Sequence, residues 1–398
     1  MLAKFALFAV VALVSSESDD AKLARAHNHF AVKLFKILAA QNPSSNVLFS
    51  PTSIAAAFAM AYAGARGSSE AELASVLGHM QVGLTEKPRT LAAYKKLIEL
   101  QASPNVTLEV ANMVLAQNSF QITESYKQQL HDFFDAELRS VDFANEGPRV
   151  AAEVNAWVRE KTRGKIDGIL PEGQPLDDVI LFILNAVYFK GSWATAFDPA
   201  KTKNKTFLNM GTAEVSKPAM HIFKRFPYTR LDTLHAAAVE IPYSGGRFSM
   251  VVLLPDFPTG LAALRDGLSL VVLEDVDRKL TSRQVGLTLP KFDMSHSYHL
   301  VPAMRALGLN AVFGGGANFT GISESACLSI SDAVHKAAVE VNEEGTVATA
   351  ATGLSIVPLS AVIDPQPSVE FVVNRPFLYY IRDRSNNRVL FIGEVHSL

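Results

Sequence analysis

The segment EEGTVATAATGLSIVPLSAVIDPQPS, residues 343–368, separates two strand signals, HKAAVEV at 335–341 and VEFVVN at 369–374. A connection of about 25 residues without secondary structure is uncommon inside a compact domain and marks a functional loop or a linker. Its side chains are sorted by type: small ones first, apolar ones in the middle, prolines at the end, with no Lys or Arg throughout. In a strand, successive side chains alternate faces. Thr346, Ala348, Ala350 and Thr352 would then share one face, and Val347, Thr349, Ala351 and Gly353 the other. All of them are small or β-branched, so this strip can slide between two existing strands without a steric clash. Nothing in it opposes exposure to water beforehand. Glu343 and Glu344 followed by Gly345 read as the end of the preceding strand and a hinge.

Around this segment lies a 398-residue chain with no linker-like stretch; length alone is compatible with two or three domains or with one large one. Apolar residues make up 48% and charged residues 19%, as in a globular protein with a large core. The net charge of −2 weighs against broad binding to nucleic acid or acidic membranes. The N-terminus, MLAKFALFAVVALVSS, has one cation at Lys4, an apolar run over 5–14 and small residues ending at Ser16. It reads as a secretory signal peptide over 1–16, because the apolar run is too short for a membrane span of about 20 residues. Sequons at Asn105, Asn204 and Asn318 fit a glycosylated extracellular surface. Cys327 is the only cysteine, which excludes an intrachain disulfide and a cysteine-based zinc site and leaves the core to hold the fold unaided. A small buried hydrophobe is the reading for Cys327.

Helical patterns dominate the first third: AKLARAHNHFAVKLFKILAAQ has helical spacing of apolar residues, and PTSIAAAFAMAYAGA is apolar nearly all round, as a buried helix would be. A further helix is expected over GPRVAAEVNAWVREKTRGKI, ending near Gly164. Later segments, VILFILNAVYFKGSW, FSMVVLLPD, QVGLTLPKFDM and RVLFIGEVHSL, carry strand signals. This order, with an excess of late strands, indicates an α+β fold.

Enzyme signatures are absent: the chain has no G-x-S-x-G elbow, no H-E-x-x-H and no phosphate-binding G-x-x-x-x-G-K-[ST] loop. The Gly314–Gly316 run lacks dinucleotide-motif spacing and reads as a loop. His27 with His29, and His296 with His299, have no Asp/Glu cluster beside them and read as solvated or capping side chains rather than metal ligands. Lys87, Arg89, Lys95 and Lys96 gather in one predicted helix and could hold a sulfated polysaccharide, although Glu86 and Glu99 dilute the charge and a solvated face is the plainer reading.

Immediately after the opening segment, FVVNRPFLYYI (371–381) resembles the C-terminal signature of the serpin family. NVLFSPTSIAAAFAMAYAGARGSSEAEL (46–73), NAWVREKTRGKI (155–166), ILNAVYFKGSW (183–193), LPKFDM (289–294) and VHKAAVEVNEEGTVATAA (334–351) also resemble serpin segments, in serpin order. The resemblance covers the chain from about Ala21 to the end. It implies a single domain over 17–398, with three β-sheets, eight or nine helices and an exposed reactive loop at about 343–368. It also implies a monomeric protein that is not an enzyme, needs no metal or organic cofactor, and binds a target serine protease covalently; the signal peptide makes it secreted and extracellular. In such proteins the protease cleaves the loop, the loop inserts as a new strand in the largest sheet, and the trapped acyl-enzyme is distorted.

The resemblance further assigns residues. At the family's usual distance beyond Glu343 the scissile bond joins Leu359 to Ser360. The hinge comprises Glu343, Glu344, Gly345, Thr346, Val347, Ala348, Thr349, Ala350, Ala351 and Thr352, and small residues there accompany inhibition. Ser53, Asn185 and His335 match a polar shutter beneath the sheet; Trp193 matches the breach at its top, where Glu343 and Lys291 match an ion pair. Leu359 suits the hydrophobic slot of chymotrypsin, cathepsin G or chymase, whereas trypsin-like pockets need Lys or Arg; cleavage at Val357 instead would suit elastase. Rival expectations are a non-inhibitory carrier or signalling serpin, a glycosaminoglycan-assisted inhibitor of a trypsin-like coagulation protease, and inhibition of a cysteine protease.

Overall fold

The computed structural model describes residues 17–99, 106–171, 173, 176–324, 328–345 and 367–398. Residues 1–16, Asn105, Cys327, the loop residues 346–366 and with them Leu359 and Ser360 lie outside the described residues. The helices are α1 (Asp19–Gln41), α2 (Pro51–Gly64), α3 (Gly67–Val76), α4 (Lys87–Glu99), α5 (Glu124–Phe134), α6 (Phe143–Lys161), α7 (Leu261–Gly267), α8 (Leu270–Lys279) and α9 (Val301–Ala306). The strands are β1 (Val47–Phe49), β2 (Val106–Gln117), β3 (Glu137–Val141), β4 (Leu181–Gly191), β5 (Lys203–Asn209), β6 (Ala213–Leu231) and β7 (Ala236–Pro242). They continue with β8 (Phe248–Pro255), β9 (Thr281–Pro290), β10 (Phe292–His299), β11 (Ile330–Val341), β12 (Val369–Val372), β13 (Phe377–Asp383) and β14 (Arg388–Val395).

Local chemistry explains several boundaries. Ser50 caps α2 by accepting from Ser53 N, and Pro51 occupies the first turn, where its missing N–H costs nothing. Every residue of α2 is buried, as its all-round apolar sequence requires. α6 starts earlier than its sequence pattern indicates, at Phe143, because Asp142 caps a first turn ahead of Pro148; the backbone kinks at Glu146. It ends at Lys161, and Arg163 and Gly164 then take left-handed conformations. QVGLTLPKFDM, which reads as one strand, is divided into β9 and β10 at Lys291.

Two hydrogen-bonded sheets form among the described residues: a five-stranded one in the order β10-β11-β4-β2-β3, and a nine-stranded one built on β1-β14-β13-β8-β7-β6-β9-β12 with β5 beside β6. Where the family description counts three sheets, the 19-residue β6 joins two of them: it pairs with β5 and β9 along most of its length and with β7 at its end.

Alternation along β4 shows how the layers stack. Phe182, Leu184 and Tyr188 share an apolar cluster with Val150, Val154 and Trp157 of α6. Val187 and Phe189 share another with Phe248, Tyr379 and Phe391 of the nine-stranded sheet. Both faces of β4 are therefore covered, which is why it is a near-continuous apolar run. A further core lies among α1–α5 and contains Phe35, Phe49, Phe58 and Tyr62.

Candidate functional site: a parallel seam and its hinge

At the centre of the five-stranded sheet, β11 pairs directly with β4 in parallel, in register from Ile330↔Leu181 to Val339↔Phe189. Both outer neighbours of this pair, β10 and β2, run antiparallel to it. Among the described residues of this sheet, the seam is the parallel junction with antiparallel pairs on both sides, the other parallel pair, β2 with β3, lying at the edge; parallel pairing is slightly less stable per residue.

A buried polar row crosses the seam. His335 on β11 stands opposite Asn185 on β4, which stands opposite Asn112 on β2. The main-chain N–H of Ser50 donates to His335 Nε2 at 3.1 Å. That donor leaves the ring proton on Nδ1, which donates to Asn185 Oδ1 at 2.5 Å; Asn185 Nδ2 donates in turn to Asn112 Oδ1 at 2.7 Å. Burial pushes the His335 imidazole down to about 3, so the ring is neutral. Parting β11 from β4 must break the His335–Asn185 bond. Ser53 is buried nearby and reaches this group through its main-chain N–H to Ser50 Oγ. Ser50 and Asn112 were not anticipated from sequence. The signal for Asn112 was present, a buried amide within the otherwise apolar end of VTLEVANMVLAQ.

At the C-terminal end of β11 the chain is held at several points. Trp193 stacks on Tyr243, with ring centroids 4.5 Å apart, and its Nε1 donates to Asn342 O at 2.9 Å. Trp193 N and Phe197 N donate to Glu344 O and Glu343 O. Lys291 Nζ lies 2.8 Å from Glu343 Oε2, while Thr202 Oγ1 donates to Glu343 Oε1 at 2.8 Å. Burial pushes the Glu343 carboxyl up, but the bonds from Lys291 and Thr202 outweigh it and hold the group below the ordinary carboxylate range. Gly345 has φ 69°, and a Cβ there would lie 2.3 Å from Trp193 N and 2.4 Å from Gly191 O. Conformation and space both require glycine at this point.

Other sequence-derived candidates are dispersed. Lys87 turns inward, donating to Ala65 O at 2.7 Å and Glu70 at 2.9 Å, and Arg89 pairs with Asp19, so the four basic residues of α4 do not form one free patch. Of that group, Lys95 and Lys96 are exposed without an ion-pair partner among the described residues, whereas Arg89 is exposed but paired. Asn204 is exposed on β5; Asn318 is half-buried and accepts from Thr320. His27 is fully buried against Tyr94, His299 bonds Asp332, and no metal-holding cluster occurs among the described residues.

A family model described as "Serpin (serine protease inhibitor)" matches residues 25–398. The chain belongs to the serpin family. Among its serpin relatives, Iripin-2 of Ixodes ricinus is 40% identical, with the alignment covering 96% of this chain and 94% of that one. Leukocyte elastase inhibitor of Bos taurus is 35% identical, over 94% and 99% of the two chains. The serpin fold is shared with human thyroxine-binding globulin complexed with thyroxine, at a TM-score of 0.85 and 26% identity, covering 96% of this chain and 99% of that one.

Proposed function

We propose that this serpin is a suicide-type inhibitor of a chymotrypsin-like or elastase-like serine protease, secreted after loss of residues 1–16 and acting as a single monomeric domain over 17–398. The observation that carries the reading is the direct parallel pairing of β11 with β4, ending at a glycine hinge. A chain leaving β11 at Gly345 and reversing direction runs antiparallel to both strands at once. Its insertion exchanges one parallel ladder for two antiparallel ones. At about 0.5–1.5 kcal/mol net per hydrogen bond, the added bonding is on the order of 10 kcal/mol, comparable with the whole stability of a typical domain. That is enough to deform a bound enzyme.

Chemically, the protease treats the loop as substrate. Its serine Oγ attacks the Leu359 carbonyl, its histidine takes the serine proton and passes it to the departing amine of Ser360, and an ester to Leu359 remains. Insertion of the small-residue strip 346–352 then carries that ester away before water reaches it. Leu359 at the cleavage point supports a hydrophobic primary pocket, and the absence of Lys and Arg over 345–374 speaks against trypsin-like targets. The relative named for leukocyte elastase supports the same class.

The test is incubation of the secreted protein with chymotrypsin, cathepsin G, elastase, trypsin and thrombin, followed by denaturing gels. Bands of summed mass with the first three are expected. Loop cleavage by all five with no stable complex would overturn the reading.

A further inference from the structure

A concavity of about 470 Å³ opens where β5, β6, β9 and β12 adjoin, and Lys201, Lys203, Lys205, His221, Thr288 and Glu370 line it. Its size falls within the range of small-molecule sites, roughly 300–1,000 Å³. Strand alternation creates its charge: Lys203 and Lys205 lie two residues apart on β5 and project from the same face. Both are exposed, and Lys205 stands directly opposite Lys217 across the antiparallel pair. Like charges so placed are destabilising. Among the described residues, Lys201, Lys203, Lys205 and Lys217 have no ion-pair partner. On α4, Lys87 and Arg89 are neutralised by Glu70 and Asp19, which leaves Lys95 and Lys96 as its two exposed cations without an ion-pair partner among the described residues.

The opposite rim has another character. Glu370 folds its carboxylate across Gly286, where a Cβ would lie 2.5 Å from Oε1, and His221 Nδ1 and Thr288 Oγ1 bond each other at 3.1 Å. Anionic groups are therefore favoured at the lysine end and hydroxyl donors at the Glu370 end. We propose that this concavity binds a small polyhydroxylated molecule carrying two or more phosphate or sulfate esters. The site is separate from the seam, and the proposal does not depend on protease inhibition. Charge-assisted hydrogen bonds from lysine to ester oxygens would supply most of the affinity, which should fall as salt screens them.

Calorimetric titration of the intact protein at low salt tests it with three probes: inositol trisphosphate, a sulfated disaccharide and the same disaccharide desulfated. Binding of an esterified probe, with no binding of the desulfated one, is expected, and the tighter of the two esters identifies its source. The double variant K203S/K205S should weaken binding by about tenfold or more, the equivalent of roughly 1.4 kcal/mol, while K95S/K96S on α4 should bind as the parent does. Both pairs are exposed, and an unchanged melting curve verifies folding. The proposal is overturned if neither ester binds, if the desulfated sugar binds equally, or if K203S/K205S keeps the parent's affinity.

Discussion

Gly345 is the residue at which conformation and contact are most tightly constrained. Its left-handed φ disfavours any side chain, and the atoms a Cβ would meet belong to the main chain of Trp193 and Gly191 rather than to a side chain that could rotate away. The left-handed conformation alone costs a non-glycine residue about 1–2 kcal/mol. Gly345→Ala is expected to lower the thermal midpoint by several degrees; an unchanged midpoint in a melting experiment would contradict the packing described. Buried histidines set a second residue-scale expectation. Burial holds His79 and His335 down to about 3 and His27 well below its ordinary value. In the unfolded chain each ring titrates near 6.5. Between those values the unfolded chain binds protons that the folded chain does not, so stability is complete above about pH 6.5 and declines as pH falls toward about 3. The slope reaches about 1.4 kcal/mol per pH unit for each ring. Denaturant midpoints measured from neutral pH to about pH 5 should fall accordingly, and His335→Gln should flatten the decline. Equal slopes for parent and variant would assign the acid sensitivity elsewhere.

Among the elements, β11 with the chain that follows it carries the proposed mechanism. Insertion buries alternate side chains from Thr346 onward, and a charged side chain there would have to lose its water without gaining a partner, at a cost of several kcal/mol. Thr346→Arg is therefore expected to turn inhibitor into substrate: the loop is cut at a rate near the parent's, but stable complex largely disappears on denaturing gels. A variant that forms complex as fast as the parent would mean that insertion is not the trap. Leu359→Arg should move reactivity from chymotrypsin to trypsin by orders of magnitude in association rate, because the primary pocket reads that side chain. The same element shows what sequence patterns resolve. HKAAVEV was legible as a strand because its apolar and β-branched residues follow strand logic, and α2 was legible as buried because it is apolar all round. The boundary between β9 and β10 and the early start of α6 were not. The first depends on which strands each half pairs with, β6 or β11, and the second on an Asp142 cap preceding a proline.

Across the whole molecule, the fold covers both faces of the five-stranded sheet, with α6 on one side and the nine-stranded sheet on the other. Expression with the native N-terminus should yield a secreted product lacking residues 1–16, which N-terminal sequencing would establish; retention of the leader in a cell-associated product would oppose the secretion proposal. By itself the sequence determined the α+β class, the order of family motifs, the small-residue strip and the lack of basic residues around Leu359, because each depends on residue type and local spacing. It also paired Glu343 with Lys291 through the family resemblance. Only the tertiary structure decided that Ser50 and Asn112 complete the row through His335, that Gly345 is packed against the Trp193 main chain, and that Lys87 and Arg89 of α4 are neutralised while Lys203 and Lys205 of β5 are not. The reason is physical: these are contacts between strands and helices distant in the chain. Charge and polarity along a sequence do not reveal whether a partner from another element lies within hydrogen-bonding distance.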